Sequence, residues 1–213
     1  MSSAGSTARS WSTRRRTSSR TGSNALGSTL RDPEQGSIWL FLDDNQRIYD
    51  ADLRIPPGFM HYDLTVNCRN TQAIHEAVMA FYEGDIELDV KGPPGREVVR
   101  WSGADVGAAL AGTLEFLVDR EEVLPQDIVV LSSHALERSG VAPDATGRFT
   151  FTRDRGKLGA NVHFSSIRAF KGLESPVVVL VETEDLDPET RDRQMYVAIS
   201  RARNHCVILE RGS

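Results

Sequence analysis

The sequence predicts an α/β fold built on a mainly parallel sheet, and three observations carry that reading. Strand-like and helix-like segments alternate along the chain. The strand candidates Ile38–Leu42, Asp127–Leu131 and Val177–Val181 are near-continuous apolar runs, the pattern of strands covered on both faces. The 213 residues, 39% of them hydrophobic, suit one sizeable core with an appendage.

The elements follow in order. Residues 1–29 are rich in Ser, Thr, Arg and Gly and almost free of apolar side chains, so a disordered tail is expected. Globular patterning starts abruptly at Leu30. We therefore expect either that upstream protein is missing or that the tail is a truncation artefact. Ile38–Leu42 reads as a buried strand delivering Asp43, Asp44, Asn45 and Gln46 at its carboxyl end, where open α/β sheets bind ligands. Pro56-Pro57-Gly58 marks a loop, and Tyr62–Val66 a strand. Asn70 or Thr71 can cap a helix over Gln72–Tyr82, whose Ile74, Val78, Phe81 and Tyr82 share one face. Gly92–Gly95 is a turn and Glu97–Trp101 a strand. The helix Val106–Val118 turns Val106, Leu110, Leu114, Leu117 and Val118 inward.

Pro125 breaks the chain before the strand Asp127–Leu131, which ends in Ser132-Ser133-His134. Residues 138–160 read as loops with one weak strand at Phe149–Thr152. Asn161–Phe164 leads through a polar turn to Pro176, which heads the apolar strand. Asp187 is the expected N-cap and Pro188 the first residue of a helix running to about Ala202, with a closing strand over His205–Glu210.

Charge is divided unevenly. Residues 1–31 hold six arginines and no acid, whereas the remainder holds 19 basic against 30 acidic residues, a net charge of −11. That body lacks the global basic footprint of a strong nucleic-acid binder, so any strand contact must be local or supplied by another domain. No apolar run approaches a membrane span and no signal peptide is visible, so no membrane partner is expected. Cys68 and Cys206 lack metal-ligand spacing and read as reduced residues of a cytoplasmic protein. No metal site is expected, and His163 and His205 read as structural.

Ser165–Val181 concentrates the chemistry. Lys171-Gly172-Leu173-Glu174 places a cation, a permissive backbone and a carboxylate at a strand edge, groups suited to a phosphate- or ribose-bearing ligand. A phosphate loop is absent. Gly92-Pro93-Pro94-Gly95 lacks the following Lys-Ser/Thr, and Gly156-Lys157 has Phe151 where the first glycine belongs. Asp43-Asp44 imitates a Walker B pair with no such loop to serve.

Four patterns occur in one order. They are Asp44-Asn45-Gln46-Arg47-Ile48-Tyr49, then Leu64-Thr65-Val66-Asn67-Cys68-Arg69, then Ser166-Ile167-Arg168-Ala169-Phe170-Lys171-Gly172-Leu173-Glu174, then Tyr196-Val197-Ala198-Ile199-Ser200-Arg201-Ala202. Together they resemble motifs III, IV, V and VI of superfamily 1 DNA helicases of the UvrD/Rep type, and the last two are the most specific. The resemblance implies that 56–213 form a second RecA-like domain and 30–55 the remnant of a first. It implies that Arg201 and Arg69 reach the γ-phosphate of ATP and that Gln46 senses it. Glu174, with Lys171 and Gly172, would serve the nucleotide ribose and its turn. Tyr49, Ser166 and Arg168 would touch single-stranded DNA. Where the family usually has Thr and His, this chain has Ser166 and Arg168; Arg168 keeps a positive charge.

The implied cofactor is ATP with Mg2+, and the implied partners are single-stranded DNA and a Walker A-bearing first RecA-like domain or chain. The phosphate-loop and metal ligands are missing here, so the isolated chain is expected not to hydrolyse ATP. Two other readings stay open: a non-enzymatic helicase-like interaction or regulatory module, and a truncated fragment.

Overall fold

The computed structural model describes residues 36–41, 60–141, 147–157, 159 and 161–212. The chain divides into two compact units, Met1–Leu42 with Tyr49–Tyr62, and Asp43–Ile48 with Asp63–Ser213. In the first unit, residues 36–41 take no regular structure, and Trp39 and Phe41 are exposed. The strand expected over Ile38–Leu42 is therefore not formed across its described part. An apolar run becomes a strand only where a sheet offers hydrogen-bond partners and a surface to cover. The expectations for 1–29, Asp43, Asp44, Gln46 and Tyr49 fall outside the described residues.

The second unit holds a six-stranded sheet, all parallel. We label its elements together with a small parallel pair: β1 (Val66–Asn67), α1 (Gln72–Met79), β2 (Asp89–Val90), β3 (Val99–Gly103), α2 (Val106–Asp119), β4 (Ile128–Ser132), β5 (Phe151–Thr152), β6 (Val162–Ser166), β7 (Ser175–Val181), α3 (Arg191–Ile199) and β8 (Ala202–Arg211). The sheet order is β3-β8-β7-β4-β6-β5, and β1 pairs with β2. Both faces of the central strands are buried. Val129, Leu131, Val178, Leu180 and Ile208 face α1 and α3; Val130, Val179, Val181, Val207 and Leu209 face α2. That two-sided burial is why these strands show no alternation in sequence.

Local chemistry sets the boundaries. Thr71, not Asn70, caps α1 by accepting from the Ile74 N–H, and Asp105 caps α2 by accepting from the Ala108 N–H. The Gly92–Gly95 turn lies over the start of α1, where the Pro93 and Pro94 carbonyls accept from the Gln72 and Ala73 N–H groups. In β7 the register against β8 shifts at Pro176, which has no N–H for the ladder.

One further strand and one helix differ from those expected. The strand expected at Tyr62–Val66 shrinks to β1, with Tyr62 and Leu64 exposed. The expected start at Asp187-Pro188 is instead a turn, in which the Asp187 carboxylate accepts from the Glu189 N–H, and α3 begins at Arg191. α3 also ends at Ile199, before the expected Ala202, because β8 starts at Ala202 and leaves Ser200-Arg201 as the connecting turn.

Candidate functional site

Ser166 closes β6 and Glu174 immediately precedes β7, and these strands are parallel in one sheet. The crossover 167–174 therefore carries one end of the sheet to the other. Ile167 and Phe170 anchor it in the core. Gly172 has φ +78°, a left-handed conformation that favours glycine at the last bend before Leu173.

At the amino edge, two arginines converge on Leu173-Glu174. Arg69 Nε lies 3.4 Å from Glu174 Oε2. Arg201 Nη1 donates to the Leu173 carbonyl at 3.4 Å. A third, Arg203, which the sequence reading did not single out, places Nη1 3.4 Å from Glu174 Oε1. Arg69, Arg203 and Glu174 are about half exposed. Arg201 differs: the residue is only 2% exposed, its Nε donates to Val197 O and its Nη2 to Ser200 Oγ. The guanidinium is thus held in its own turn while facing the corner that Arg69 approaches from outside. Beneath it, the buried Asn70 side chain donates to the Ser200 and Ala202 carbonyls.

At the carboxyl edge, a cavity of about 280 Å³ is lined by Ser133, Arg138, Ser166, Arg168, Asp185 and Gln194, among others. Ser166 and Arg168 are therefore together, but on the opposite edge from Glu174. A buried carboxylate fixes the loop beside this cavity. Glu182 accepts from Ser132 Oγ at 2.5 Å, Ser139 Oγ at 2.8 Å and the Gly140 N–H at 2.5 Å. Its backbone has φ +55°, a conformation costly for a side chain larger than glycine. The surrounding bonds over-determine it. His134 Nε2 also meets Asp185 Oδ2 at 3.1 Å.

Two histidines and a cysteine on the sheet strands carry shifted pKa values. Burial lowers the pKa of His163, with Arg155 adding to the effect, and burial with Arg96 lowers that of His205. Burial pushes the Cys206 thiol up to about 12, an inert state. Cys68 and Cys206 are both free. Among the described residues, no group of three or more His, Cys, Asp or Glu is placed to hold a metal ion, and no helix is long and apolar enough to cross a membrane.

Residues 161–209 match a family model, the UvrD-like helicase C-terminal domain. The matched segment runs through β6, β7, α3 and most of β8 and contains Ser166, Arg168, Lys171, Gly172, Glu174 and Arg201. Among solved structures, the chain is similar to the C-terminal domain of a possible DNA helicase from Lactobacillus plantarum WCFS1. The identity is 17% and the TM-score 0.53, over 68% of this chain and 88% of that one. At that identity the likeness is one of fold, a RecA-like parallel sheet flanked by helices. No curated protein matches the chain.

Proposed function

Because residues 161–209 match a UvrD-like helicase C-terminal domain, we propose that this chain is the carboxyl-terminal half of an ATP-dependent DNA helicase or translocase. It supplies the arginine wall of a composite ATP site and part of a single-stranded DNA track. The opposite wall, with the phosphate loop and the magnesium ligands, comes from a first RecA-like domain or chain. The observation that carries the reading is the approach of Arg69 and Arg201 to one corner inside or beside the matched segment. Two permanently charged planar forks suit charge spread over phosphate oxygens. Glu174 is a hydroxyl acceptor at the same corner, fitting a ribose.

ATP with Mg2+ would supply the leaving group and the closure energy; this chain would contribute Arg69, Arg201 and Glu174. The Arg69–Glu174 and Arg203–Glu174 pairs are half exposed and long, so exchanging them for a nucleotide costs little. Arg201 must give up its carbonyl acceptors to reach a phosphate. Closure of the first domain on this corner, a ligand-coupled domain motion, is the step that would draw it out. Gln46 and Tyr49 keep their proposed roles as γ-phosphate sensor and base-stacking aromatic, with Ser166 and Arg168 on the DNA backbone. A cytoplasmic setting accords with the two free thiols.

The test is complementation. The chain is mixed with a purified Walker A-bearing first domain from the same genome, and DNA-stimulated ATP hydrolysis is measured. Turnover that appears only in the mixture and is lost with Arg201→Ala supports the proposal. Hydrolysis by the chain alone, or full turnover with Arg201→Ala, overturns it. The near-complete burial of Arg201 favours a second reading, a non-enzymatic interaction module, in which neither Arg201→Ala nor Arg69→Ala alters function and no first domain restores turnover.

A further inference from the structure

Asn70 does not do the job its sequence position suggests. Thr71 takes the cap of α1, and the Asn70 side chain turns inward, 4% exposed, to a strand turn 130 residues away. Its Nδ2 donates to Ser200 O at 3.2 Å and to Ala202 O at 2.6 Å, the carbonyls on either side of Arg201. Its Oδ1 accepts from Asn67 Nδ2 at 2.9 Å. Asn67 Oδ1 in turn accepts from the Arg69 N–H at 3.0 Å and the Asn70 N–H at 3.3 Å. The backbone is confined as well, since a Cβ added at Gly92 would come within 1.9 Å of Asn70 O.

We infer that Asn70, held by Asn67, is the positioning residue that ties the Arg69 loop to the Arg201 turn and so sets the spacing of the two guanidinium groups. The role rests on the composite ATP site proposed above. Only a primary amide fits: both N–H bonds are used on two carbonyls while the oxygen serves a third donor. An aspartate has the same shape but turns a carboxylate oxygen toward two carbonyl oxygens, leaving all three unpaired or repelling. A packing role predicts that the isosteric Asn70→Asp is milder than Asn70→Ala. The clamp predicts the reverse order.

Two measurements decide it. In the complemented ATPase assay, Asn70→Ala should lower kcat roughly tenfold or more while the KM for ATP changes far less, since misplaced transition-state contacts act on kcat. Asn70→Asp should fall further, and Asn67→Ala should fall less, in the same direction. Independently of any activity, hydrogen exchange of the Arg201 Nε–H, followed by NMR on the full chain, should quicken in Asn70→Ala and more so in Asn70→Asp. Circular dichroism and thermal melting establish that each variant is folded at the assay temperature. If one Asn70 variant does not fold, Asn67→Ala carries the exchange measurement.

Unchanged Arg201 exchange in the folded variants, or Asn70→Asp milder than Asn70→Ala, overturns the clamp. If no combination hydrolyses ATP, the helicase reading fails while the exchange result still decides the clamp.

Discussion

The two ends of the crossover 167–174 are built in opposite ways. At the amino edge, Glu174 meets Arg69 and Arg203 through long, half-exposed ion pairs, each worth about 0–1 kcal/mol. At the carboxyl edge, Glu182 is 4% exposed and accepts three short hydrogen bonds from Ser132, Ser139 and Gly140. One carboxylate is set to change partners and the other to keep them. The contrast is one of solvent access: groups that exchange partners need exposure, and groups that hold a loop need burial. Arg201 combines both traits, since it is buried yet borders the exchangeable corner.

The largest expected effect separates the edges by chemistry. In the complemented complex, Arg201→Ala should reduce kcat about a thousandfold, the scale of an arginine finger in nucleotide hydrolases. Arg168→Ala, on the other edge, should leave kcat at saturating DNA within a few fold. Steady-state kinetics at saturating ATP checks both, and equal losses would erase the distinction.

The second effect separates them by stability. Glu182→Ala removes the acceptor of two hydroxyls and one backbone N–H and should cost about 3 kcal/mol in urea denaturation. Glu182→Gly should cost about 1 kcal/mol less than Glu182→Ala, because it relieves the left-handed backbone. Arg69→Ala should stay within about 1 kcal/mol of the parent. A larger loss from Arg69→Ala than from Glu182→Ala would reverse the assignment of holding and exchanging edges.

A third effect concerns the carboxyl-edge cavity alone. If Arg138 and Arg168 contact phosphates of single-stranded DNA, each change to Ala should lower the slope of log affinity against log salt by about 0.7. Fluorescence anisotropy with a labelled oligothymidylate reads this directly. An unchanged slope in both variants would remove the DNA track from this edge.

What the sequence made legible follows from how local each interaction is. Val177–Val181 and Asp127–Leu131 were readable as buried strands because covering both faces demands an unbroken apolar run, and the second begins one residue later, at Ile128. Leu110, Leu114 and Leu117 were readable from helical spacing. Arg69, Glu174 and Arg201 stand out in the sequence because each sits in a short pattern. Asn70, Arg203 and Glu182 were missed because their partners lie 130, 29 and 50 residues away, separations that leave no trace in spacing. The polar cluster Asn67–Asn70 at a strand end was the one available hint for Asn70. The helix boundary at Pro188 failed for a local reason: Asp187 closes a turn on Glu189 before α3 begins.

The smallest expected effect is a pH dependence that should touch the sheet and spare the arginine corner. His163 on β6 and His205 on β8 both have buried Nδ1 atoms without a hydrogen-bond partner. Burial, aided by Arg155 and Arg96 respectively, lowers both pKa values below the ordinary 6.5. A histidine with a depressed folded pKa favours folding while it is neutral. Its contribution is therefore present above about pH 6.5 and is lost as pH falls from there toward the lower folded value, where the unfolded chain binds the proton first. Thermal melts between pH 8 and pH 5.5 should show the parent losing stability faster than His163→Gln with His205→Gln. The loss should therefore come from the strands that carry the two histidines. Parallel slopes in parent and double variant would move the pH dependence to groups outside these two strands.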